Sequence, residues 1–452
     1  MWSVLARRLG VAAAVALALA VSAAAATQPT IKFTDTTLKN GLRVVISEDH
    51  IAPVLSVVVL YNVGSRDERA GRTGFAHLFE HMMFKGSEKV GAGEHFYSVF
   101  SNGGTMNGTT NKERTLYYEE VPSNQLDMAL FLEADRMRSL AINKENLDNQ
   151  RQAVQEERRL RLDNQPYGRT YEAVDELAFE NPAYKHSVIG SMTDLDAASV
   201  DDVASFFKTY YAPNNATIAI VGDVNSALAL ERIHQYFDTI AAQPAPPAVD
   251  AVEPAQTAER RQTLEDPLAR LPRLDIGYHI PSSLSTDDDA IDLLTDVLAS
   301  GRSSRLYEVL VRQKQLALGV SAFAESSRGP RLLRIIVSVP PAKTVADVEA
   351  GLYAELERLK AGPIADWEIE KSRNGVRRQF VGALGSSLSR ASLLGELTLL
   401  YGNPGKINTL YDRVGKLNGA DVLRVAKQYL APENRVVVMT TPKPATASKG
   451  DR

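Results

Sequence analysis

Residues Asp202–Ile220 read DVASFFKTYYAPNNATIAI, and residues Asp421–Met439 read DVLRVAKQYLAPENRVVVM. The two stretches align without a gap, and each predicts an amphipathic helix, an Ala-Pro-x-Asn turn and a β-branched strand. The residues of the first stretch that recur in the second are Asp202, Val203, Lys208, Tyr210, Ala212, Pro213 and Asn215. Chance matching is the alternative, but each copy stands at the end of one half of the chain. The repeat therefore predicts two tandem, structurally related α/β domains.

A segment rich in Ala and Pro separates the two halves. Residues 241–262 read AAQPAPPAVDAVEPAQTAERRQ and predict a partly extended linker. The linker divides an N-terminal domain (30–240) from a C-terminal domain (263–442) and a short flexible tail (443–452). The first half predicts strands at 42–47, 55–63 and 115–121, helices at 74–85, 124–140 and 144–162, and a polar loop at 101–108. Because strands and helices do not alternate strictly, the fold class is predicted to be α+β.

The first 26 residues are typical of a secretory signal peptide. Arg7 and Arg8 precede an uncharged run, Leu9–Ala26, with a small-residue cleavage site before Thr27. A transmembrane anchor is the alternative, although the run is borderline in length. We expect a protein that is periplasmic or secreted in a bacterium and free of the membrane after cleavage.

The composition restricts both partners and metal ligands. The formal net charge of the 452 residues is −4, which argues against nucleic acid or an anionic membrane surface as partner. There is no cysteine, so disulfides, thiolate ligands and cysteine nucleophiles are excluded. Any bound metal must be held by His, Asp or Glu.

The stretch Gly74–Lys85, GFAHLFEHMMFK, contains a candidate metal site. On a helix, His77 and His81 lie on one face about one turn apart, so both imidazoles can reach one ion. Glu80 lies beside them and is free to hold a metal-bound water. The alternative is a helix with two surface histidines and a salt-bridging Glu. The apolar residues around the three predict burial instead, and buried polar groups need partners.

A catalytic zinc site needs a third protein ligand. The predicted helix 144–162 offers Glu156 and Glu157. Leu147, Val154 and Arg158 define one side of this helix, and Glu157 lies near the edge of that side. Glu157 is the better candidate, although most helical glutamates are simply solvated.

Together these features resemble the inverzincins of the insulinase or pitrilysin type, a family that includes mitochondrial processing peptidase. The resemblance rests on the His77–His81 motif, the distal Glu157, the tandem Ala-Pro-x-Asn turns and two further segments. These segments are GGTMNGTTNKERTLYYEEVP (103–122) and GRSSRLYEVLVRQKQLAL (301–318). The resemblance implies one Zn²⁺ per chain, held by His77, His81 and Glu157, with Glu80 as the general base. It implies a zinc-dependent endopeptidase that hydrolyses peptide bonds in short or unfolded peptides.

The same resemblance implies where a substrate binds and where this chain departs from the family. Asn107, Gly108 and Thr109 match an edge strand that pairs with the peptide, although a plain hairpin loop is equally compatible with the sequence. Arg312 matches an Arg that holds substrate, but the Tyr expected after it falls on Leu318 or Gly319. An acidic residue common in the family, seven positions before the distal Glu, is Gln150 here.

The missing Tyr suggests a second chain. We expect a heterodimer with a homologue that lacks the zinc motif, closing into a chamber, with a homodimer as the second possibility. A non-catalytic subunit of a peptide-binding complex, or a processing peptidase for one dedicated precursor, is the alternative function. Two imidazoles and a carboxylate also accept Mn²⁺ or Co²⁺ in place of zinc.

Overall fold

Two β-sheets, one in each half of the chain, organise the structure, a computed structural model that describes residues 28–443. The strands of the first sheet are β1 (Thr34–Thr37), β2 (Arg43–Glu48), β3 (Val54–Tyr61), β4 (Thr105–Thr110), β5 (Thr115–Pro122) and β6 (Ala216–Gly222). Those of the second are β7 (Arg260–Asp266), β8 (Arg273–Ile280), β9 (Gly319–Ala324), β10 (Arg331–Ser338) and β11 (Arg435–Pro442).

The two sheets have the same topology. Their strand orders are β1-β2-β6-β3-β5-β4 and β7-β11-β8-β10-β9, which correspond strand by strand once β1 is set aside. In each sheet one neighbouring pair is parallel, β2 with β6 and β7 with β11, and the other pairs are antiparallel. The prediction of two tandem related domains in an α+β fold is confirmed.

Fifteen α-helices connect the strands in the described part of the chain. Those of the first half are α1 (Phe75–Met82), α2 (Glu94–Ser101), α3 (Leu126–Arg138), α4 (Lys144–Arg158), α5 (Gly168–Ala178), α6 (Pro182–Lys185), α7 (Met192–Asp196), α8 (Val200–Tyr210) and α9 (Ser226–Phe237). Those of the second are α10 (Asp288–Ala299), α11 (Val345–Ala361), α12 (Asp366–Leu384), α13 (Ser387–Tyr401), α14 (Leu410–Lys416) and α15 (Gly419–Tyr429). The repeat found in the sequence corresponds to α8 with β6 and to α15 with β11.

Each sheet buries one face against helices of its own half. The first sheet packs on α1, α3 and α9, and its core includes Val57, Phe79 and Ile233. The second packs on α10, α11 and α15, and its core includes Ile335 and Leu352. Helices such as α11, which buries Val348, Leu352, Leu356 and Leu359, show the 3.6-residue apolar spacing that burial of one helix face requires.

The opposite face of each sheet is covered by helices of the other half. Helix α13 places Ala391 and Leu394 against Val58 of the first sheet. Helix α5, from the first half, places Val174 against Val436 of the second sheet. Each domain therefore completes its core with a helix from the other.

Gly395 sets how closely α13 approaches the first sheet. A methyl group at this position would lie 2.3 Å from Cδ1 of Leu60, which is fully buried in β3. We expect Gly395→Ala to lower the free energy of unfolding by about 1–3 kcal/mol because the core is overpacked. Urea unfolding of the purified protein measures this.

A second glycine-to-alanine change provides the control. Gly382 lies exposed in α12, with no heavy atom within 4 Å of the position that a methyl group would take. Gly382→Ala should leave the free energy of unfolding unchanged or raise it by up to about 1 kcal/mol. Equal effects of the two changes would contradict tight packing at Gly395.

Some expectations from the sequence differ from the structure. The loop predicted at 101–108 is present only at 102–104, because strand β4 begins at Thr105. Residues 241–259 form neither helix nor strand, and β7 begins at Arg260, inside the segment predicted to be a linker. The predicted signal segment and residues 444–452 of the tail lie outside the described residues. Within residues 28–443, no helix combines the length and hydrophobicity that crossing a bilayer requires.

Candidate metal centre

The two histidines of the motif lie on helix α1, which is almost entirely buried. Phe75, Leu78 and Phe79 anchor the helix in the core of the first domain. The rings of His77 and His81 are consequently held close together, with their centroids 4.8 Å apart.

Acidic residues hold the start of α1. The buried carboxylate of Glu68 accepts hydrogen bonds from the backbone N–H groups of Gly74 (2.9 Å) and Ala76 (2.7 Å). It also lies 2.9 Å from Nε2 of His186. Gly74 is the N-cap of the helix, and the preceding Thr73 donates its hydroxyl to Asp194. Glu68 lies six residues before Gly74, outside the usual N-cap spacing, so the sequence pattern did not indicate it.

Helix α4 brings Glu157 to the histidines. Oε2 of Glu157 lies 3.5 Å from Nε2 of His77 and 3.2 Å from Nε2 of His81. Its other oxygen, Oε1, is 2.7 Å from Nη1 of Arg161. Glu156, the alternative candidate, is exposed and pairs with Arg159. The structure thus brings His77, His81 and Glu157 together and leaves Glu156 outside the group.

The donor set fits a zinc ion. In a tetrahedral site with ligands at about 2.0–2.1 Å, neighbouring ligand atoms lie about 3.3 Å apart, close to both distances above. Burial and the neighbouring His81 lower the pKa of His77 to about 4, so its imidazole is neutral near pH 7 and has a lone pair to offer. A hydrogen bond with His81 keeps the pKa of Glu157 below its ordinary value, so its carboxylate is ionised. Nδ1 of His77 is buried and has no hydrogen-bond partner among residues 28–443.

Glu80 lies beside this group and contacts strand β4. Its Oε2 accepts a hydrogen bond of 2.6 Å from the hydroxyl of Thr110. Gly108 allows the strand to approach, since a methyl group there would lie 2.8 Å from Cγ of Glu80. Burial raises the pKa of Glu80, and the hydrogen bond from Thr110 opposes this only in part.

An open cavity of about 330 Å³ adjoins these side chains. It is lined by Glu80, His81, Phe84, Phe96, Asn107 and Gln150, among others. The lining combines the aromatic rings of Phe84 and Phe96 with polar side chains, so it can contact both apolar and polar parts of a peptide. Gln150 thus lies at the site without supplying the charge of an acidic residue.

Strand β4 forms the free edge of the first sheet, with β5 as its only partner in the described chain. Asn107 and Thr109 are exposed on it, and Gly108 is buried between them. An edge strand presents unpaired backbone N–H and C=O groups that can pair with another extended chain. Asn107, Gly108 and Thr109 therefore belong to an edge strand and not to a plain hairpin loop. Their role in substrate binding stays a prediction.

Comparison with known proteins identifies the family. A sequence profile described as "Insulinase (Peptidase family M16)" matches residues 43–191, and one described as "Peptidase M16 inactive domain" matches residues 197–376. The zinc protease PqqE of Helicobacter pylori is 32% identical over 415 residues, which are 91% of this chain and 93% of that protein. The chain belongs to the insulinase family, peptidase family M16.

One solved structure and one more curated relative are also similar to this chain. The crystal structure of a protease from Helicobacter pylori superposes with a TM-score of 0.87 at 31% identity, covering 91% of this chain and all of that one. A probable mitochondrial-processing peptidase subunit beta of Arabidopsis thaliana is 24% identical over 409 residues, which are 87% of this chain and 76% of that protein. Both match nearly the whole two-domain unit.

The second M16 domain of this chain lacks the metal motif. The single histidine of residues 263–442 is His279. Arg312 is largely exposed and pairs with Glu308, not with any residue of the metal group. Leu318, at the expected Tyr position, is 57% exposed. A role for Arg312 in holding substrate stays a prediction.

A second group of potential ligands lies deeper in the first half of the chain. His95, Glu119 and Glu133 are all buried, and Nε2 of His95 lies 3.0 Å from Oε1 of Glu119. Arg136, also buried, donates to Glu133 from Nε at 3.0 Å and stacks on Tyr117. The guanidinium already supplies the positive charge that these carboxylates need, so we assign no metal to this group.

Proposed function

We propose that this chain is a zinc-dependent endopeptidase that hydrolyses peptide bonds in short or unfolded peptides. One observation carries the proposal. His77, His81 and Glu157 converge beside Glu80, and Glu80 contacts the free edge strand β4. A metal-ligating triad, a carboxylate outside it and an extended docking edge are the parts that this reaction needs. The names of the relatives as zinc proteases support the same conclusion.

The residues have distinct roles in this proposal. His77, His81 and Glu157 hold one zinc ion, which lowers the pKa of water and polarises the scissile carbonyl when bound. Glu80 takes the proton from the attacking water and passes it to the nitrogen of the leaving amine. The raised pKa of Glu80 suits this role, because a general base works best when its pKa is near the working pH.

Substrate binds as an added strand along β4. Backbone groups of Asn107, Gly108 and Thr109 pair with the peptide, which gives affinity with loose selection of side chains. Only an extended segment can pair in this way, so folded proteins are poor substrates. Arg312 of the second domain is proposed, by resemblance to the family, to hold the peptide further along.

Zinc content and chelator sensitivity test the proposal together. We expect about one zinc per chain by atomic absorption, and cleavage of a quenched fluorogenic peptide that stops with a chelator and returns with zinc. Mn²⁺ or Co²⁺ should restore activity in part, because they accept the same ligands. Zinc-loaded protein that cleaves no peptide in any assembly would contradict the endopeptidase.

The proposed assembly is a heterodimer with a homologue lacking the zinc motif, and a homodimer is second. Leu318 in place of Tyr favours a partner that supplies the missing side chain. The Arabidopsis relative is named as a subunit, which agrees with such pairing. Activity should rise on co-expression with the homologue, whereas full activity as a monomer would refute the pairing.

The sequence at 1–26 supports a place of action in the periplasm or outside the cell.

The exposed Leu318 also favours a second candidate, a non-catalytic subunit that binds peptides. In that case the chain would bind zinc and peptide but cleave nothing, even beside its partner. Peptide binding without turnover, measured by fluorescence anisotropy, distinguishes this candidate from the enzyme.

A further inference from the structure

Both domains hold the turn between β4 and β5, residues 111–114. Arg66 and Tyr184 of the N-terminal domain contact the carboxylate of Glu113 at 2.9 Å and 3.0 Å, and the C-terminal domain adds further contacts. Glu113 in this turn is buried, and its Oε2 accepts a hydrogen bond of 2.8 Å from Nε of Arg328. Nη2 of Arg328 also donates to the backbone carbonyl of Glu113 at 2.9 Å. Ser327 adds a hydrogen bond of 2.7 Å to Oε1. Arg328 and Ser327 lie in the loop between β9 and β10, the counterpart in the second domain of the turn that they hold.

A second contact holds the neighbouring residue. Arg114 donates to Oε1 of Glu396 on α13 from Nε at 3.1 Å and from Nη2 at 2.9 Å. Its Nη1 donates to the carbonyl of Thr109 at 2.9 Å and to the Thr109 hydroxyl at 2.6 Å. Arg114 thereby connects a helix of the C-terminal domain to strand β4.

The same strand contacts the proposed general base. Thr110, next to Thr109, donates its hydroxyl to Glu80, and Gly108 packs against the Glu80 side chain. A displaced turn would therefore move both the peptide-binding edge and the carboxylate. Misplacement of a reacting group by about 1 Å lowers a rate by about 10²-fold.

We propose that Arg328 and Glu396 of the C-terminal domain are positioning residues that fix strand β4, and through it Glu80, by holding the β4–β5 turn. The inference rests on the peptidase activity proposed above. According to this inference, the C-terminal domain contributes to the reaction by setting the geometry of the active site in the N-terminal domain.

Arg328→Met keeps most of the side-chain volume and removes the two hydrogen bonds that Arg328 itself donates to Glu113. We expect kcat for a fluorogenic peptide to fall by about 10- to 100-fold. In the zinc-free protein, amides of residues 105–110 should exchange with deuterium faster than in the wild type. Arg328→Lys, which can still pair with one oxygen of Glu113, should recover part of both effects.

Arg390→Met is the matched control. Arg390 on α13 also forms a half-buried ion pair between the domains, 2.9 Å from Asp49, but it touches neither the turn nor β4. It should lower thermal stability while leaving kcat and exchange in β4 near wild type. If Arg328→Met does not fold, Glu396→Gln tests the same idea through Arg114.

The outcomes separate the two proposals. Equal effects of Arg328→Met and Arg390→Met on β4 exchange, or unchanged kcat in Arg328→Met, would overturn the positioning role. If the wild type cleaves no peptide, the proposed function fails, and deuterium exchange in the zinc-free protein still decides whether the C-terminal domain fixes β4.

Discussion

Glu80→Gln is expected to lower kcat by about 10²–10⁴-fold while zinc content stays near one per chain. Glutamine keeps the size of the side chain and can still meet the hydroxyl of Thr110, but it cannot take a proton from water. The metal ligands His77, His81 and Glu157 are untouched by this change. Peptide cleavage and atomic absorption on the same preparation measure the two quantities.

The appropriate control is the same substitution at another glutamate. Glu156 lies on α4 beside Glu157, but it is exposed and pairs only with Arg159. Glu156→Gln should retain both zinc and activity. Wild-type turnover in Glu80→Gln would show that another group is the base.

His81→Ala should abolish activity through a different route, by loss of the metal. His81 is the more exposed of the two imidazoles, with 24% of its side chain accessible, so its truncation disturbs the core little. Changes to groups that only support metal ligands already weaken metal binding 10–100-fold, so we expect a loss of zinc affinity of about 10²-fold or more. Competition with a chromophoric chelator measures this affinity.

His234→Ala provides the comparison for this loss. His234 lies exposed on α9 and pairs with Asp238. It belongs to neither group of potential metal ligands in the described residues. Its replacement should leave the zinc affinity at the wild-type value. Retention of tightly bound zinc by His81→Ala would contradict the ligand set.

The local part of the site could be predicted from the sequence. The spacing of His77 and His81 is a property of one short helix, and the apolar residues around it indicated burial. Glu157 followed from the periodicity of one further helix. Each of these inferences needs only residues within a few turns of one another. The repeat at the ends of the two halves likewise predicted the duplicated fold.

The remainder depends on contacts between distant residues. Residues 105–108 of strand β4 were predicted to be part of a loop, because the sequence TMNGTT is poor in the large apolar residues typical of strands. Only the resemblance to the family pointed to an edge strand at Asn107, Gly108 and Thr109. Pairing with β5 and the approach of Glu80 decide its conformation instead. The bond from Arg328 to Glu113 joins residues 215 positions apart, and no local pattern indicates it. For the same reason, the sequence did not indicate that α13 covers the first sheet.

The crosswise cover of the two sheets also affects how the protein is made. As the ribosome extends the chain, all strands of the first sheet have emerged by Gly222, but the helix that covers its second face begins only at Ser387. Until then the apolar side chains Val58 and Val221 have no permanent neighbour on that face. Such uncovered surface favours aggregation during synthesis. The core of the first half is therefore completed only after helix α13, in the second half, has been synthesised.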